Sequence, residues 1–271
     1  MRNSKKNLNI GILGFGHMGE AIFRLLKKIP NLSFNICSLG VKKITGAVCV
    51  ESIRELVEKS NPLFLCIKPQ EFYSLNRNDF PEKTTDKIII SIMAGVCIKN
   101  IKKITGQEKI VRTMPNLPLQ VGEGVIGWHA NKKIFKRSEL KEIETLLLFF
   151  GKKLFVKKEN AIDSLTAISG SGPAYVFLFA EALIRSAVYF GFTKEQSQQI
   201  VLQTIKGSLA YIDSQEKNFN LEKLIAKIKS KKGTTEAALN EIGVKAFYDK
   251  WLKATSAAGK RANELSSYEI K

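Results

Sequence analysis

A chain of 271 residues can bury the core of one or two domains, and a hydrophobic content of 44% with a mean hydropathy of −0.07 is ordinary for a soluble globular protein. This composition excludes an intrinsically disordered chain, and no stretch approaches the roughly 18 consecutive apolar residues of a membrane span. The net charge of +18 permits nucleic-acid binding, but only eight of the 43 basic residues are arginine, and scattered lysines are typical of a solvated surface rather than of base recognition. We therefore expect a cytoplasmic protein with no membrane partner, and we do not favour nucleic acid as a partner.

The cysteine and histidine content argues against a metal site. The cysteines lie inside or beside apolar runs, form no C-x-x-C pair, and are Cys37, Cys49, Cys66 and Cys97. With His17 and His129 as the only histidines, the chain has no zinc-binding pattern. We expect free, buried thiols in a reducing compartment and no bound metal.

The N-terminal stretch has the pattern of a dinucleotide-binding turn. The apolar run Leu8–Leu13 predicts a strand, three glycines follow at G-x-G-x-x-G spacing, and apolar residues then recur at helical spacing to about Lys28. In such a turn the first glycine permits the bend, the second lets a pyrophosphate approach the backbone, and the third lets the helix pack closely. A glycine-rich turn without a ligand is the alternative. The predicted phosphate-binding residues are Gly14, Phe15, Gly16, His17, Met18 and Gly19.

The residues after the second predicted strand, Phe34–Cys37, indicate which dinucleotide binds. Folds that choose NAD place an acidic residue about 20 residues past the glycines, where it binds the ribose 2′-hydroxyl. Here Ser38 ends the strand and Lys42 follows in the loop, with no acidic residue near them. A hydroxyl beside lysines suits a 2′-phosphate, which favours NADPH over NADH; loop lysines without a ligand are the alternative. Ser52, which begins a capping box with Glu55, is a further cofactor-binding candidate near the adenosine.

Three further apolar runs are typical of buried parallel strands, namely Leu63–Ile67, Ile88–Met93 and Lys109–Thr113. Because ligands bind outside the carboxyl ends of the strands in an open α/β sheet, the residues at these ends are candidates for lining the nicotinamide. Turn formation without a ligand is the alternative for each of them. The candidates are Ile67, Lys68, Ala94, Gly95, Met114, Pro115 and Asn116.

The character of the chain changes near residue 160. Before it, a short apolar segment ends at Trp128, a helix is predicted over 138–150, and a last strand over 153–156. From Asn160 onward no strand-like run occurs, and one helical pattern follows another. We therefore predict an α/β chain of two domains: an NADP-binding Rossmann-type domain with a mainly parallel sheet at 1–160, and an all-helical domain at 161–271.

Two motifs stand out in the helical part. Ser169–Tyr175 leads into a helix to Tyr189 that is apolar on nearly every face, so this helix has to be buried in a bundle or against a second subunit. Ser230–Thr235 is a hydroxyl-rich turn with a glycine between two predicted helices. Such a turn either caps a helix or presents N–H and O–H donors to a carboxylate.

Together these motifs resemble the pyrroline-5-carboxylate reductase family, the last enzyme of proline biosynthesis, over nearly the whole chain. The resemblance implies hydride transfer from NADPH to the C=N bond of 1-pyrroline-5-carboxylate, giving L-proline. It also implies a homodimer formed by the helical domain, with dimers commonly assembling into decamers. The matching segments occur in the family's order and are the glycine turn, Ile67–Gln70, Ala94–Gly95, Arg112–Pro118, Gly122–Gly124, Asp163–Tyr175 and Gly233–Thr235.

The resemblance also implies which residues bind the substrate. Thr235 would hydrogen-bond the ring nitrogen, and Ser230 and Thr234 would hold the carboxylate together with it. Glu159 falls at a position that the family uses near proline, and Glu216 is a weaker match. A threonine hydroxyl is too weakly acidic to be the sole proton donor near neutral pH. We therefore expect Thr235 to orient the substrate, while the proton comes from solvent or is already on the substrate.

The chain departs from the family in the hydroxyl-rich turn. The family usually has Ser-Pro-Gly-Gly-Thr-Thr there, whereas this chain has Lys231 and Lys232 in place of Pro and Gly. We expect a more mobile loop that attracts an anionic substrate more strongly at low salt.

Two other functions stay open. The β-hydroxyacid dehydrogenase group has a similar glycine turn but depends on a catalytic lysine in the helix after the inter-domain glycines, and Pro173–Tyr189 contains no lysine. A non-catalytic basic protein that binds nucleic acid on the same fold is the second alternative. Salt-sensitive DNA binding without NADPH oxidation would favour it.

Overall fold

The structure of the chain, a computed structural model, describes residues 8–81, 86–215 and 219–267. They form two compact units. One unit comprises the chain up to Gly172 together with the residues from Ala257 onward, and the other is Pro173–Ser256. The sequence predicts a domain boundary at residue 160, whereas the first division between the compact units lies after Gly172. The boundary at 160 stays a prediction.

The first unit is built on one sheet of mainly parallel strands. Its described strands are β1 (Leu8–Leu13), β2 (Leu32–Cys37), β3 (Val48–Cys49), β4 (Leu63–Leu65), β5 (Ile89–Ser91), β6 (Ile110–Met114), β7 (Gly124–Ala130) and β8 (Gly151–Phe155). Their order across the sheet is β3-β2-β1-β4-β5-β6-β7-β8. Neighbouring strands run parallel except β6 and β7, which are antiparallel. The predicted α/β fold class with a mainly parallel sheet is confirmed.

Helices connect the strands. The described helices of this unit are α1 (His17–Leu26), α2 (Ile53–Lys59), α3 (Pro69–Tyr73), α4 (Ile98–Thr105), α5 (Arg137–Leu148) and α6 (Ala161–Leu165), with short 3₁₀ helices at Arg77–Asp79, Leu117–Val121 and Lys132–Ile134. A π-helical turn over Thr166–Gly170 leads from α6 to α7 (Gly172–Tyr189). The sequence analysis predicted neither α3, whose five residues are too few to show a helical repeat, nor α4, although Ile98, Ile101 and Ile104 recur at helical spacing there.

Apolar side chains cover both faces of the sheet. Phe64 packs in one cluster with Ile12 and Trp128, whereas its neighbours on β4, Leu63 and Leu65, belong to a second cluster. Successive side chains of a strand point to opposite faces. The β4 run is therefore apolar throughout because both of its faces are buried, as its sequence predicts for a parallel strand.

The second unit is all helical within its described residues. It contains α7 from Pro173 onward, then α8 (Lys194–Asp213), α9 (Leu221–Ile228), α10 (Thr234–Ile242) and the first part of α11 (Val244–Ser266), whose last turns belong to the first unit. The T-x-x-Q spacing before α8 predicts a capping box, and it forms. The Gln196 N–H donates to Thr193 Oγ1 over 3.2 Å, and the Thr193 N–H donates to Gln196 Oε1 over 3.0 Å.

Helix α7 leaves most of its apolar surface uncovered. Val176, Phe177, Leu178 and Phe179 are between 51% and 65% exposed, and Ala180 is the buried residue of the helix. The sequence left open whether this helix is buried within its own chain or against a second subunit. The described part of the chain does not cover it.

Two structural findings bear on the expectations from composition. The run from Ala161 to Tyr189 has 29 residues and an apolar window with a mean hydropathy of 1.4, so by length and composition it meets a criterion for a membrane span that core helices of soluble proteins also meet. The sequence did not suggest this because small and polar residues interrupt the large apolar ones, although the mean stays high. The four cysteines are free and each is a half-buried residue, while burial raises the pKa of the Cys66 thiol.

Candidate active site

The strand order changes direction at β1, which places a crevice beside the glycine turn. β2 and β3 lie on one side of β1, and β4, β5 and β6 lie on the other. The register pairs Leu13 with Leu65, Leu65 with Ser91, and Ser91 with Arg112, so these parallel strands end at a common edge. Ligands of open α/β sheets bind outside this edge, where the strand order changes direction. The residues that follow the four strands therefore lie around one crevice.

Each glycine of the turn has its own steric role. Gly14 has a φ of +91°, and an added Cβ there would lie 2.7 Å from Ile67 Cγ2. At Gly19 an added Cβ would lie 2.3 Å from the Gly14 carbonyl oxygen, so α1 packs directly against the turn. At Gly16, by contrast, an added Cβ would meet no atom within 4 Å. Packing thus explains Gly14 and Gly19, whereas the open space at Gly16 fits a ligand that approaches the backbone.

The first turn of α1 offers N–H groups to an anion. No side chain caps the helix at Gly16, and within the described part of the chain the N–H groups of His17, Met18 and Gly19 have no acceptor. Free N–H groups and the helix dipole together favour a phosphate at this position. His17 is exposed, and Phe15 and Met18 are partly exposed. The residues present fit the pyrophosphate of a dinucleotide.

The two serines predicted near the adenosine are both bonded to the backbone. Ser38 Oγ accepts a hydrogen bond from the Phe15 N–H over 3.1 Å, which ties the end of β2 to the glycine turn and leaves the hydroxyl proton available. Ser52 is the N-cap of α2, and its Oγ accepts from the Glu55 N–H over 3.1 Å. Only half of the predicted capping box forms, because the Glu55 carboxylate binds a different backbone N–H. Lys42 is exposed in the loop after β2.

The residues predicted to line the nicotinamide lie at or directly after the ends of β4, β5 and β6. Gly95 has a φ of +70° and packs against the last turn of α11, where an added Cβ would lie 2.7 Å from Leu265 Cβ. Asn116 Oδ1 accepts a hydrogen bond from the Val125 N–H over 2.8 Å and so ties the end of β6 to the start of β7. That bond gives Asn116 a structural role. The others at this edge are Ile67, Lys68, Ala94, Met114 and Pro115.

Glu159, predicted to lie near the substrate, belongs to a charged cluster in the first unit. Its Oε1 accepts a hydrogen bond from the Ile98 N–H, at the start of α4, over 2.7 Å and one from Arg112 Nη1 over 3.2 Å. Arg112 Nη2 lies 2.6 Å from Asp163 Oδ1 and 3.1 Å from Ser266 Oγ. The side chains of Arg112 and Asp163 are only 1% and 4% exposed. Glu159 Oε1 therefore already accepts hydrogen bonds from two groups of the protein, the Ile98 N–H and the Arg112 guanidinium.

One residue of this cluster stands out in the sequence itself. Arg112 stands inside the apolar run of β6, and a charged side chain is rarely buried there without a partner. The partner itself cannot be identified from one sequence, because Asp163 is 51 residues away. Nothing in the sequence pointed to Ser266.

In the second unit, the hydroxyl-rich loop leads into the N-terminus of α10. Gly233 is the N-cap, and Thr234 and Thr235 are the first two helical residues. Within the described residues, the hydroxyls of Ser230, Thr234 and Thr235 have no hydrogen-bond partner, and the N–H groups of the first turn have no acceptor. An added Cβ at Gly233 would lie 2.1 Å from Ser230 Oγ and 3.1 Å from the Ser230 carbonyl oxygen, so a larger residue there would displace the Ser230 hydroxyl. These donors and the helix dipole fit a carboxylate.

Lys232 stands where the family loop has glycine, and its backbone conformation is one that favours glycine. Its φ is +60°. Its N–H donates to Glu236 Oε2 over 2.7 Å, and Lys229 Nζ lies 3.2 Å from Glu236 Oε1. The Lys232 N–H, followed by Lys229, holds the pKa of the Glu236 carboxyl below its usual value. Glu236 therefore holds the loop through Lys232 and Lys229. That this loop is more mobile than the loop of the family stays a prediction.

Replacing Lys232 with glycine is expected to stabilise the protein. A non-glycine residue in the left-handed region costs about 1–2 kcal/mol, and the greater freedom of glycine in the unfolded chain offsets part of this, so we expect a gain of about 0.5–1 kcal/mol. Urea unfolding at one protein concentration measures the change in the free energy of unfolding. Lys231→Gly is the matched control, because Lys231 does not have a positive φ. An equal loss of stability in both variants would contradict the assignment of strain to Lys232.

Glu216, the last of the predicted site residues, lies outside the described residues. Among the residues that are described, no group of three or more His, Cys, Asp or Glu side chains is arranged to hold a metal ion. A cleft of about 400 Å³ in the second unit is lined by Ile225, Leu239 and Val244, among others, and Thr235 is not part of its lining.

Comparison with known proteins identifies the family. Residues 159–265 match the family model described as pyrroline-5-carboxylate reductase dimerisation, and residues 9–95 match the one described as NADP oxidoreductase coenzyme F420-dependent. The pyrroline-5-carboxylate reductase of Aquifex aeolicus is 32% identical over 95% of this chain and 97% of its own length. This chain belongs to the pyrroline-5-carboxylate reductase family.

Other members of the family are similar over the same length. The pyrroline-5-carboxylate reductase of Pseudomonas aeruginosa is 30% identical over 95% of this chain and 96% of its own. The crystal structure of the Plasmodium falciparum pyrroline carboxylate reductase with NADP bound has a TM-score of 0.86 at 30% identity, covering 96% of this chain and 99% of that one. The family resemblance drawn from the motifs is confirmed.

Proposed function

We propose that this chain is an NADPH-dependent pyrroline-5-carboxylate reductase. It transfers a hydride to the C=N bond of 1-pyrroline-5-carboxylate and so forms L-proline, the last step of proline biosynthesis. The observation that carries the proposal is the 32% identity to a reductase of this name along 95% of the chain. The open space at Gly16 and the free N–H groups of α1 support it, because they fit a dinucleotide.

The residues of the chain act chiefly by binding and orienting. When bound, the cofactor supplies the hydride. Hydride transfer needs the two reacting carbons to be held face to face, and such positioning accounts for much of the acceleration. Thr235 hydrogen-bonds the ring nitrogen, while Ser230, Thr234 and the N–H groups of α10 bind the carboxylate. A place near the substrate for Glu159 and Glu216 rests on the family resemblance alone.

NADPH is the proposed cofactor in preference to NADH. The loop after β2 has Ser38 and the exposed Lys42 where an NAD-binding fold would have an acidic residue. Ser38 keeps its proton free to donate to a 2′-phosphate, although its oxygen already accepts the Phe15 N–H. The Plasmodium falciparum relative with NADP bound supports the same preference.

We also infer a homodimer built from the helical unit. The family model that matches 159–265 is named for dimerisation, and the apolar side chains of Val176–Phe179 are exposed in the single chain. A second copy would cover them, which accounts for the apolar run Ala161–Tyr189 without a membrane. We also propose a cytoplasmic location, which the similarity to bacterial reductases supports. Assembly of dimers into a decamer rests on the family resemblance alone.

NADPH oxidation in the presence of 1-pyrroline-5-carboxylate tests the proposal. We expect proline to form, with a kcat/KM about 10-fold or more higher for NADPH than for NADH, the effect of one charge-assisted contact of about 1.4 kcal/mol. A clear preference for NADH would contradict the choice of cofactor. Turnover of β-hydroxy acids instead, or salt-sensitive DNA binding without any oxidation, would contradict the function itself and favour one of the two alternatives.

A further inference from the structure

A buried charged cluster of the first unit contains Glu159, predicted to lie near the substrate, together with three residues to which no role has been assigned. It consists of Arg112 on β6, Glu159 just before α6, Asp163 on α6 and Ser266 at the end of α11, and is called the Arg112 cluster below. Ser266 Oγ accepts a hydrogen bond from Arg112 Nη2 and donates one to Asp163 Oδ1. One small hydroxyl at the end of the last helix therefore binds both charges of a buried ion pair.

The Arg112 cluster holds two of the three segments that are predicted to line the nicotinamide, those that follow β5 and β6. One of its carboxylates accepts the Ile98 N–H over 2.7 Å, directly after the turn between β5 and α4. Leu265, next to the serine of the cluster, packs on Gly95 in the same turn. The arginine lies on β6, shortly before Met114. The last turn of α11 is thus tied to the ends of two neighbouring strands.

Stability alone does not account for this arrangement. Apolar residues of similar volume in place of a buried ion pair are often neutral or stabilising. Arg112 Nε, moreover, is a buried donor without a hydrogen-bond partner within the described part of the chain. The charges add direction, because a planar guanidinium and two carboxylates fix the relative positions of three chain segments more strictly than apolar contacts do.

We propose that Arg112 and Ser266 are positioning residues for the reductase reaction. They hold the last turn of α11 against the turn between β5 and α4, and so keep Ala94, Gly95 and the end of β6 in place at the nicotinamide. The proposal rests on the proposed function, since hydride transfer is what requires this edge to be held. Loosening the edge lowers the rate at saturating substrate, whereas cofactor affinity depends mainly on the phosphates at the glycine turn and changes little.

Ser266→Ala, compared with Ser267→Ala, tests the proposal. Ser267 is the matched control, because among the described residues its hydroxyl donates to the Glu264 carbonyl of the preceding turn, over 2.8 Å, and to no group of the Arg112 cluster. For Ser266→Ala we expect a kcat about 3- to 10-fold lower, since a misplacement of about 1 Å costs up to about 100-fold, with the NADPH Kd changed by less than about 2-fold. Hydrogen exchange of the backbone amides at 94–98 should become faster. Ser267→Ala should match the parent protein in all three measurements.

Ser266→Thr keeps the hydroxyl, so we expect it to have the kcat of the parent protein. Hydrogen exchange of the backbone amides at 94–98 should be as slow as in the parent protein. Equal kcat values for Ser266→Ala and Ser267→Ala, or unchanged exchange at 94–98, would overturn the positioning role. A Kd that rises by the same factor as kcat falls would also overturn it, because that result indicates general loosening of the unit. If the parent protein oxidises no NADPH with 1-pyrroline-5-carboxylate, the proposed function fails, and the exchange measurement still decides whether Ser266 holds the edge.

Discussion

Thr235→Ala is expected to lower kcat/KM for 1-pyrroline-5-carboxylate by about 10- to 1,000-fold, the range found when one preorganised hydrogen-bond donor is removed. The Thr235 hydroxyl has no partner among the described residues and stands in the first turn of α10, beside N–H groups that have no acceptor. Steady-state kinetics with saturating NADPH measures the effect. Because Thr235 is the second helical residue and its hydroxyl makes no hydrogen bond among the described residues, its loss should leave thermal stability nearly unchanged.

Thr235→Ser is the control for this prediction. It keeps the hydroxyl and removes only a methyl group, so it should retain most of the activity. Wild-type kinetics in Thr235→Ala would refute the contact with the ring nitrogen. A loss of activity that serine does not restore would assign the effect to packing of the loop rather than to the hydroxyl.

Gly16→Ala is the second substitution for which we expect a large effect. An added Cβ meets no protein atom within 4 Å, so the fold should tolerate it, but the methyl group would occupy the space through which a pyrophosphate reaches the backbone. We expect the NADPH Kd to rise about 10- to 100-fold, or about 1.4–2.8 kcal/mol. Titration of NADPH fluorescence measures the Kd, and thermal unfolding without cofactor checks that the fold is retained.

Gly207→Ala controls for the effect of a methyl group on a glycine in open space. Gly207 lies on α8 and likewise has no atom within 4 Å of an added Cβ. This variant should bind NADPH like the parent protein, with a helix stabilised by up to about 1 kcal/mol. An unchanged Kd in Gly16→Ala would mean that the glycine turn does not hold the phosphates.

Much of the sheet could be predicted because a parallel strand buried on both faces is a continuous apolar run. β4, β5 and most of β6 lie inside the runs expected from the sequence, with ends displaced by no more than two residues. The two-residue strand β3 and the five-residue helix α3 were not predicted, since segments of this length show no measurable periodicity. Local patterns thus sufficed for the order of the elements and their faces.

The candidate site was predictable only where its constraints are local. The roles of Gly14 and Gly19 follow from the turn itself, and the strand ends meet because the strands are parallel. The bonds of Ser38, Asn116 and Glu159 were not predictable, because each side chain binds a backbone N–H that reaches it only in the folded chain. Sequence spacing therefore locates a site better than it assigns the hydrogen bond of each side chain.

The bond between Arg112 and Ser266 joins residues 154 positions apart, and this separation bears on how the protein is made. During synthesis the strands of the first unit emerge from the ribosome first and can pair while the helices that follow are still being translated. The edge at Gly95 gains its cover only when Leu265 has emerged. A ribosome-bound chain that stops short of α11 would thus carry the glycine turn without a finished nicotinamide edge, so the ability to react arises only after α11 has been translated.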